Sequence, residues 1–587
     1  MVDLKLSENA KYILSQRYLL RNENREIVET PEQLFRRVSK AIAEVDLKYG
    51  KTKEEVKELE NKFYEMMISF EFLPNSPTLM NAGTDLGQLS ACFVLPVADS
   101  IDDIFQAIYH TAKIHKTGGG TGFSFSKLRP KDDIVKSTGG IASGPISFMT
   151  VFDATTEVIK QGGKRRGANM GLLRIDHPDI LDFLVCKERE GLLRNFNISV
   201  GLTDKFLKAV EKDKDFALTN PRTKKPEKSI KARALWNLLI TMSWRNGEPG
   251  VIFLDKINEF NPTPELGEIE SVNPCAEQPL LPYESCNLGS INLSKFIKNE
   301  EIDWEKLKET IRLVVRFLDN VIDANTFPLD KIKEATLGNR KIGLGVMGWA
   351  DLLLDLGMKY DTEEAIALAR KIMKFIQEEG RETSKELGKE KGNFPNKDKS
   401  VYKNLAYLRN ATITTIAPTG TISLIANCSN GIEPIFALIQ TRNVEESLGK
   451  NLVEINPAIQ RSLELKGLWN PELEKALIQS QCLKCTTLPE KIKEVFVTSS
   501  EISPELHVRM QAAFQKYTDN AVSKTINLPN KATIDDIEEI YLLAYKLGCK
   551  GITIYRDGSR QYQLLTKPLQ EEYKIPTFDN TCVKCAE

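Results

Sequence analysis

Hydrophobic positions along this chain follow two rhythms. Up to about residue 70 they recur at helical spacing among acidic and basic residues, and Thr30-Pro31 marks the start of one helix. From 71 to 100 turns alternate with short apolar runs such as Cys92-Phe93-Val94-Leu95. Residues 101–116 return to a helical pattern, opened by Asp99-Ser100-Ile101-Asp102-Asp103 as an N-cap with an acidic first turn. Glycine-rich connectors follow at 118–122 and 137–140. From 150 to 440, short apolar strands such as 197–200 alternate with helices such as 305–325 and 362–388. This alternation predicts an α/β architecture with a parallel or mixed sheet. Beyond about residue 562 apolar anchors run out, and the end is expected to be a mobile tail.

Composition narrows the function classes. A chain of 587 residues implies two or three domains or one large barrel. A net charge of -1 gives no reason to expect nucleic acid or an anionic membrane as an obligatory partner. No apolar run approaches the roughly 18 residues of a membrane span, and residues 1–17 lack the apolar core of a signal peptide. The chain reads as cytoplasmic. Its ten cysteines are then fillers, redox groups or metal ligands rather than a disulfide framework. With four histidines in all, a Ser/His/Asp triad or a His-rich metal site is poorly supported.

The densest candidate chemistry lies at Asn273-Pro274-Cys275-Ala276-Glu277, with Cys286 eleven residues after the first thiol. Pro274, Pro279 and Pro282 disfavour a long helix, so a looped backbone presents a thiol between an amide and a carboxylate. Neither the first glycine-rich connector nor 162–167 fits a P-loop, although Lys164-Arg165-Arg166 is placed to meet an anion. Pro418-Thr419-Gly420-Thr421-Ile422-Ser423 follows an apolar run and reads as a strand, a glycine turn and a helix start suited to phosphate. Cys482-x-x-Cys485 and Cys582-x-x-Cys585 together have the form of a four-thiolate zinc site. Alternatively the terminal pair is a mobile dithiol exchanging disulfides, with Cys482 and Cys485 left open.

These motifs, with the segments 73–83, 90–93, 286–290, 417–423 and 551–560, resemble ribonucleotide reductase catalytic chains over nearly the whole length, and most closely the class II, adenosylcobalamin-dependent type. The resemblance implies a ten-stranded α/β barrel of two five-stranded parallel halves with a central finger loop. It divides the chain into a helical region (1–70), the barrel (71–561) with an effector region near 99–170, and a tail (562–587). Cys275 would be the radical cysteine, Glu277 the general base for the 3′-hydroxyl, and Asn273 the holder of the sugar hydroxyls. Cys92 and Cys286 would be the reducing pair, recharged by Cys582 and Cys585 and then by thioredoxin or glutaredoxin. Ser76, Ala91 and Thr419, Gly420, Thr421, Ile422 and Ser423 match substrate-binding segments. Asp99, Ser100 and Arg129 lie where the family binds deoxynucleotide triphosphate effectors, and 163–171 matches the loop that relays them.

Class I chains carry two adjacent tyrosines late in the barrel, whereas Ile552-Thr553-Ile554-Tyr555-Arg556-Asp557 holds one, which favours class II. No glycyl-radical segment precedes the end, and no N-terminal ATP-binding cone is expected before residue 70. The resemblance thus implies a homodimeric ribonucleoside-diphosphate reductase using adenosylcobalamin. The alternatives are a class I large subunit served by a separate radical-generating subunit, or a non-catalytic nucleotide-binding regulator. A regulator would need none of these thiols.

Overall fold

The computed structural model describes residues 4–135, 139–159, 167–189, 191–443, 451–480, 483, 486–559 and 565–566. Its first part is helical, as the apolar spacing predicts. Helices Pro31–Ala43 and Lys53–Ile68 start at Thr30 and Thr52, each closing a capping box with Gln33 or Glu55 three residues on. They bury Leu34, Phe35, Val38 and Phe63 against helix Trp304–Ala324 and the adjoining sheet.

The central sheet is built from β1 (Phe72–Pro74), β2 (Cys92–Pro96), β3 (Gly120–Ser124), β4 (Asn169–Arg174), β5 (Phe196–Leu202), β6 (Gly250–Phe253), β7 (Ser285–Asn292), β8 (Ile342–Met347), β9 (Thr525–Leu528) and β10 (Gly551–Arg556). Strands β2 to β6 run parallel in chain order. In the other half, β7 pairs parallel with β8 and β9 with β10. Between those pairs a segment at 414–416 is joined by the parallel bridges Leu344↔Thr414 and Ile416↔Val522. The halves meet antiparallel where β6 pairs β10 and where β7 pairs β2, which closes a ten-stave barrel. β1 flanks the ring, antiparallel to β7. Both halves are covered by helices outside, and most of their strands are buried along nearly their whole length, as parallel strands covered on both faces are.

A small module interrupts the second half. Strands Ile439–Asn443 and Asn451–Ile455 form a hairpin, followed by helices Pro457–Leu465 and Pro471–Ser480. Its Ile459, Leu463, Leu477 and Phe496 cluster with Ala350 and Leu354 of helix Trp349–Asp355. Residues Leu565–Thr566, where the tail begins, add to this hairpin as a third strand.

Candidate active site

Ser271–Val272 and Pro279–Leu280 pair antiparallel and carry residues 273–278 between them into the barrel as a finger. The tip is wound by Gln278 N–H donating to Asn273 Oδ1 at 2.9 Å and by Ala276 N–H donating to Asn273 O at 3.0 Å. Ala276 takes φ 64°, a left-handed conformation that costs a residue with a β-carbon about 1–2 kcal/mol. Both barrel halves hold the finger. Asn197 Nδ2 donates to Pro274 O at 2.8 Å, and Thr415 Oγ1 and Ala521 N–H donate to Glu277 O at 2.9 and 3.0 Å. On the β3 side the finger lies so close that a β-carbon on Gly122 would stand 1.8 Å from Val272 O. Only glycine permits that approach.

The five catalytic candidates of the sequence converge here. Cys92 and Cys286 are directly opposite in the antiparallel β2–β7 junction, and both are buried thiols. Asn273 Nδ2 donates to Cys92 Sγ at 3.0 Å, and the Cys92 thiol lies 3.9 Å from Glu277 Oε1. Asn273 and Glu277 are buried as well. Cys286 sends its S–H toward Asn287 O and Lys341 O, at 3.3 and 3.6 Å, and burial pushes its thiol pKa well above the ordinary value. Cys275, in contrast, is exposed.

Its exposure is into a cavity of about 580 Å³ that Cys275, Pro274 and Ala276 help to line and that neither Cys92, Asn273, Glu277 nor Cys286 reaches. Its other walls come from the ends of β5, β6, β9 and β10 and from the loop 427–436. Sequence reasoning missed several of these groups. Lys524 Nζ, wholly buried, pairs with Glu433 Oε2 at 2.6 Å, and Thr525 N–H donates to Glu433 Oε1 at 2.7 Å. Gln511, 1% exposed, donates to Gly551 O and has an Oε1 with no hydrogen-bond partner. No spacing pattern marks these residues, because a loop and a helix distant in sequence bring them together. Tyr555 is also on this wall. Buried polar groups lining a partly open space large enough for a nucleoside fit the adenosyl portion of adenosylcobalamin.

The predicted phosphate turn leads from the 414–416 segment into helix Ile422–Ala426. Thr419 has φ 56°, its Oγ1 accepts from Gly431 N–H at 2.7 Å, and Ser423 Oγ donates to Asn430 Oδ1 at 2.6 Å. A β-carbon on Gly420 would meet nothing within 4 Å. Helix Ile422–Ala426 packs against β1, which runs into Asn75 and Ser76, so the two candidate phosphate segments are neighbours. Ala91 leads into β2 beside Cys92, its N–H donating to Cys286 O at 3.1 Å.

Asp99, Ser100 and Arg129 also come together. Ser100 caps helix Ile101–Lys116, and Arg129 Nε meets Asp99 Oδ2 at 2.9 Å at that helix start. Cys482, Cys485, Cys582 and Cys585, together with 163–166 of the relay loop, lie outside the described residues. Among the described residues no helix is long and apolar enough to cross a membrane.

Comparison with known proteins agrees with this geometry. Residues 90–407 and 406–555 match the family described as "Ribonucleotide reductase, barrel domain", and residues 4–87 match "Ribonucleotide reductase, all-alpha domain". The "Vitamin B12-dependent ribonucleoside-diphosphate reductase" of Thermoplasma acidophilum is 50% identical, covering 97% of this chain and 82% of that protein. A protein of the same description from Mycobacterium tuberculosis is 45% identical with the same coverage, 97% and 82%. Among solved structures, the Actinobacillus ureae class Id ribonucleotide reductase alpha subunit superposes with a TM-score of 0.76 at 26% identity, over 94% of this chain and 97% of that one.

Proposed function

The chain belongs to the ribonucleotide reductase family, and on that premise we propose that it reduces ribonucleoside diphosphates to 2′-deoxyribonucleoside diphosphates by an adenosylcobalamin-dependent thiyl-radical reaction. The observation that carries this reading is the position of Cys275. It faces a partly open cavity, while its finger neighbours Asn273 and Glu277 join Cys92 and Cys286 in a buried group. The two relatives named above as vitamin B12-dependent, and the single tyrosine in β10, support cobalamin over a partner subunit as the radical source.

Bound adenosylcobalamin supplies the one-electron chemistry that oxidises a thiol, and Asn197, Gln511, Lys524, Glu433 and Tyr555 would hold its nucleoside portion. Cys275 gives up its S–H hydrogen atom and, as a thiyl, takes the 3′-hydrogen of the ribose. Glu277 accepts the 3′-hydroxyl proton as general base, while Asn273 holds the sugar. The 2′-hydroxyl leaves as water with a proton from one thiol of the Cys92–Cys286 pair. That pair then delivers its second hydrogen as an atom to C2′ and, closing to a disulfide, passes its remaining electron to the 3′-carbonyl, whose oxygen takes its proton back from Glu277. Cys275 returns a hydrogen atom to C3′. One dithiol is thus consumed per ribonucleotide, and one water and one disulfide are formed. Opposed residues of an antiparallel pair have Cα atoms about 4.5–5.5 Å apart, within the range a disulfide spans.

Ser76 and the 419–423 turn take the substrate phosphates. Cys582 and Cys585 reduce the disulfide and are recharged by thioredoxin or glutaredoxin. A deoxynucleotide triphosphate effector binds at Asp99, Ser100 and Arg129. Ile101, Phe105 and Tyr109 form an apolar stripe on the exposed side of the same helix, which supports a homodimer joined there. The test is product formation by Cys275→Ser. The variant should fold and form no deoxyribonucleotide; turnover by it would sink the radical assignment.

A further inference from the structure

The N-terminal helix Glu8–Arg17 is not absorbed by the reaction above, yet it touches both parts of the phosphate site. It packs on helix Ile422–Ala426, which continues the phosphate turn, through a face that buries Ala10 and Leu14 completely. Tyr18, immediately after the helix and 1% exposed, places its phenolic oxygen 2.7 Å from Ser76 Oγ, a residue 58 positions away. A buried phenol keeps such a partner because leaving it unpaired is costly. A serine hydroxyl has one hydrogen to donate and two lone pairs. When Tyr18 O–H donates to it, the Ser76 hydrogen is left to be given to a phosphate oxygen.

We infer that Tyr18 is a positioning residue of the substrate phosphate site, fixing the Ser76 hydroxyl in its donating orientation. This rests on the reading that Ser76 takes substrate phosphate. Tyr18 touches no reacting atom, so its loss should appear in KM and leave kcat alone.

The experiment compares Tyr18→Phe, Ser76→Ala and the double variant in steady-state reduction of a ribonucleoside diphosphate. It also compares binding of a 2′-deoxynucleoside diphosphate with that of the same nucleoside without phosphates. Tyr18→Phe keeps the packed ring, and its thermal midpoint confirms the fold. Tyr18→Phe should raise KM about fivefold, the scale of one hydrogen bond, with kcat unchanged. It should weaken the diphosphate and not the nucleoside, and the double variant should be no worse than Ser76→Ala alone. If Ser76→Ala raises KM while Tyr18→Phe does not, or if the two effects add, the positioning role is overturned and the phosphate reading stands. If Ser76→Ala leaves KM unchanged, the phosphate reading itself fails.

Discussion

Cys92 and Cys286 are exact register partners across the antiparallel junction of the two barrel halves, and Asn273 Nδ2 holds the Cys92 sulfur at 3.0 Å. Two thiols so placed join without moving the strands apart. A single turnover by a Cys582→Ser, Cys585→Ser variant in the absence of external reductant should therefore leave one disulfide, linking Cys92 to Cys286, for each deoxyribonucleotide formed. Peptide mass mapping after rapid quenching checks this; a disulfide involving Cys275 would contradict the division of labour among the three cysteines.

The same thiols should differ in reactivity. Cys275 is exposed to the cavity, whereas burial holds the Cys286 thiol protonated well above the ordinary range. At pH 8.5 iodoacetamide should modify Cys275 first and leave Cys286 intact until the chain unfolds. Because the unfolded thiol ionises near about 8.5 and the native one does not, Cys286 contributes stability below that pH that is lost as pH rises above it. Alkylation time courses resolved by peptide check the order.

Gly122→Ala should separate folding from catalysis. The added β-carbon would stand 1.8 Å from Val272 O, so the finger must shift. A displacement of about 1 Å at reacting groups costs about 100-fold in rate. Turnover should fall by that order while circular dichroism retains the helical signal.

Acid stability should depend on His507. This residue is wholly buried, accepts no charge readily, and its Nε2 lies 3.0 Å from Ser499 O; burial pushes its pKa down to about 3. The unfolded chain protonates it below about 6.5, so the stabilising preference for the native state is present above that pH. It is lost as pH falls toward the native value, by about 1.4 kcal/mol per unit. Urea unfolding at pH 7 and pH 5 should show a shallower loss in His507→Gln than in the parent, and equal slopes would refute the assignment.

Much of this was legible in the sequence where local chemistry decides structure. Thr30 and Ser100 announced their helices because a hydroxyl at an N-cap satisfies a backbone donor whatever surrounds it. The prolines around Cys275 announced a loop, and the thiols, amide and carboxylate meet there. What was not legible depends on long-range closure. The 414–416 stave joins its neighbours by isolated bridges rather than a regular ladder, and the module at 439–496 packs a cluster against Ala350 and Leu354 that no periodicity signalled. The cavity wall of Glu433, Gln511 and Lys524 unites residues from distant elements, as does Tyr18 on Ser76.

The most direct measurement is deoxyribonucleotide formation from a ribonucleoside diphosphate by the purified chain with dithiothreitol, with and without adenosylcobalamin, and with no second protein. Turnover that requires the cobalamin and nothing else is the predicted result. Turnover that ignores it and appears only when a metal-containing subunit is added would contradict the account.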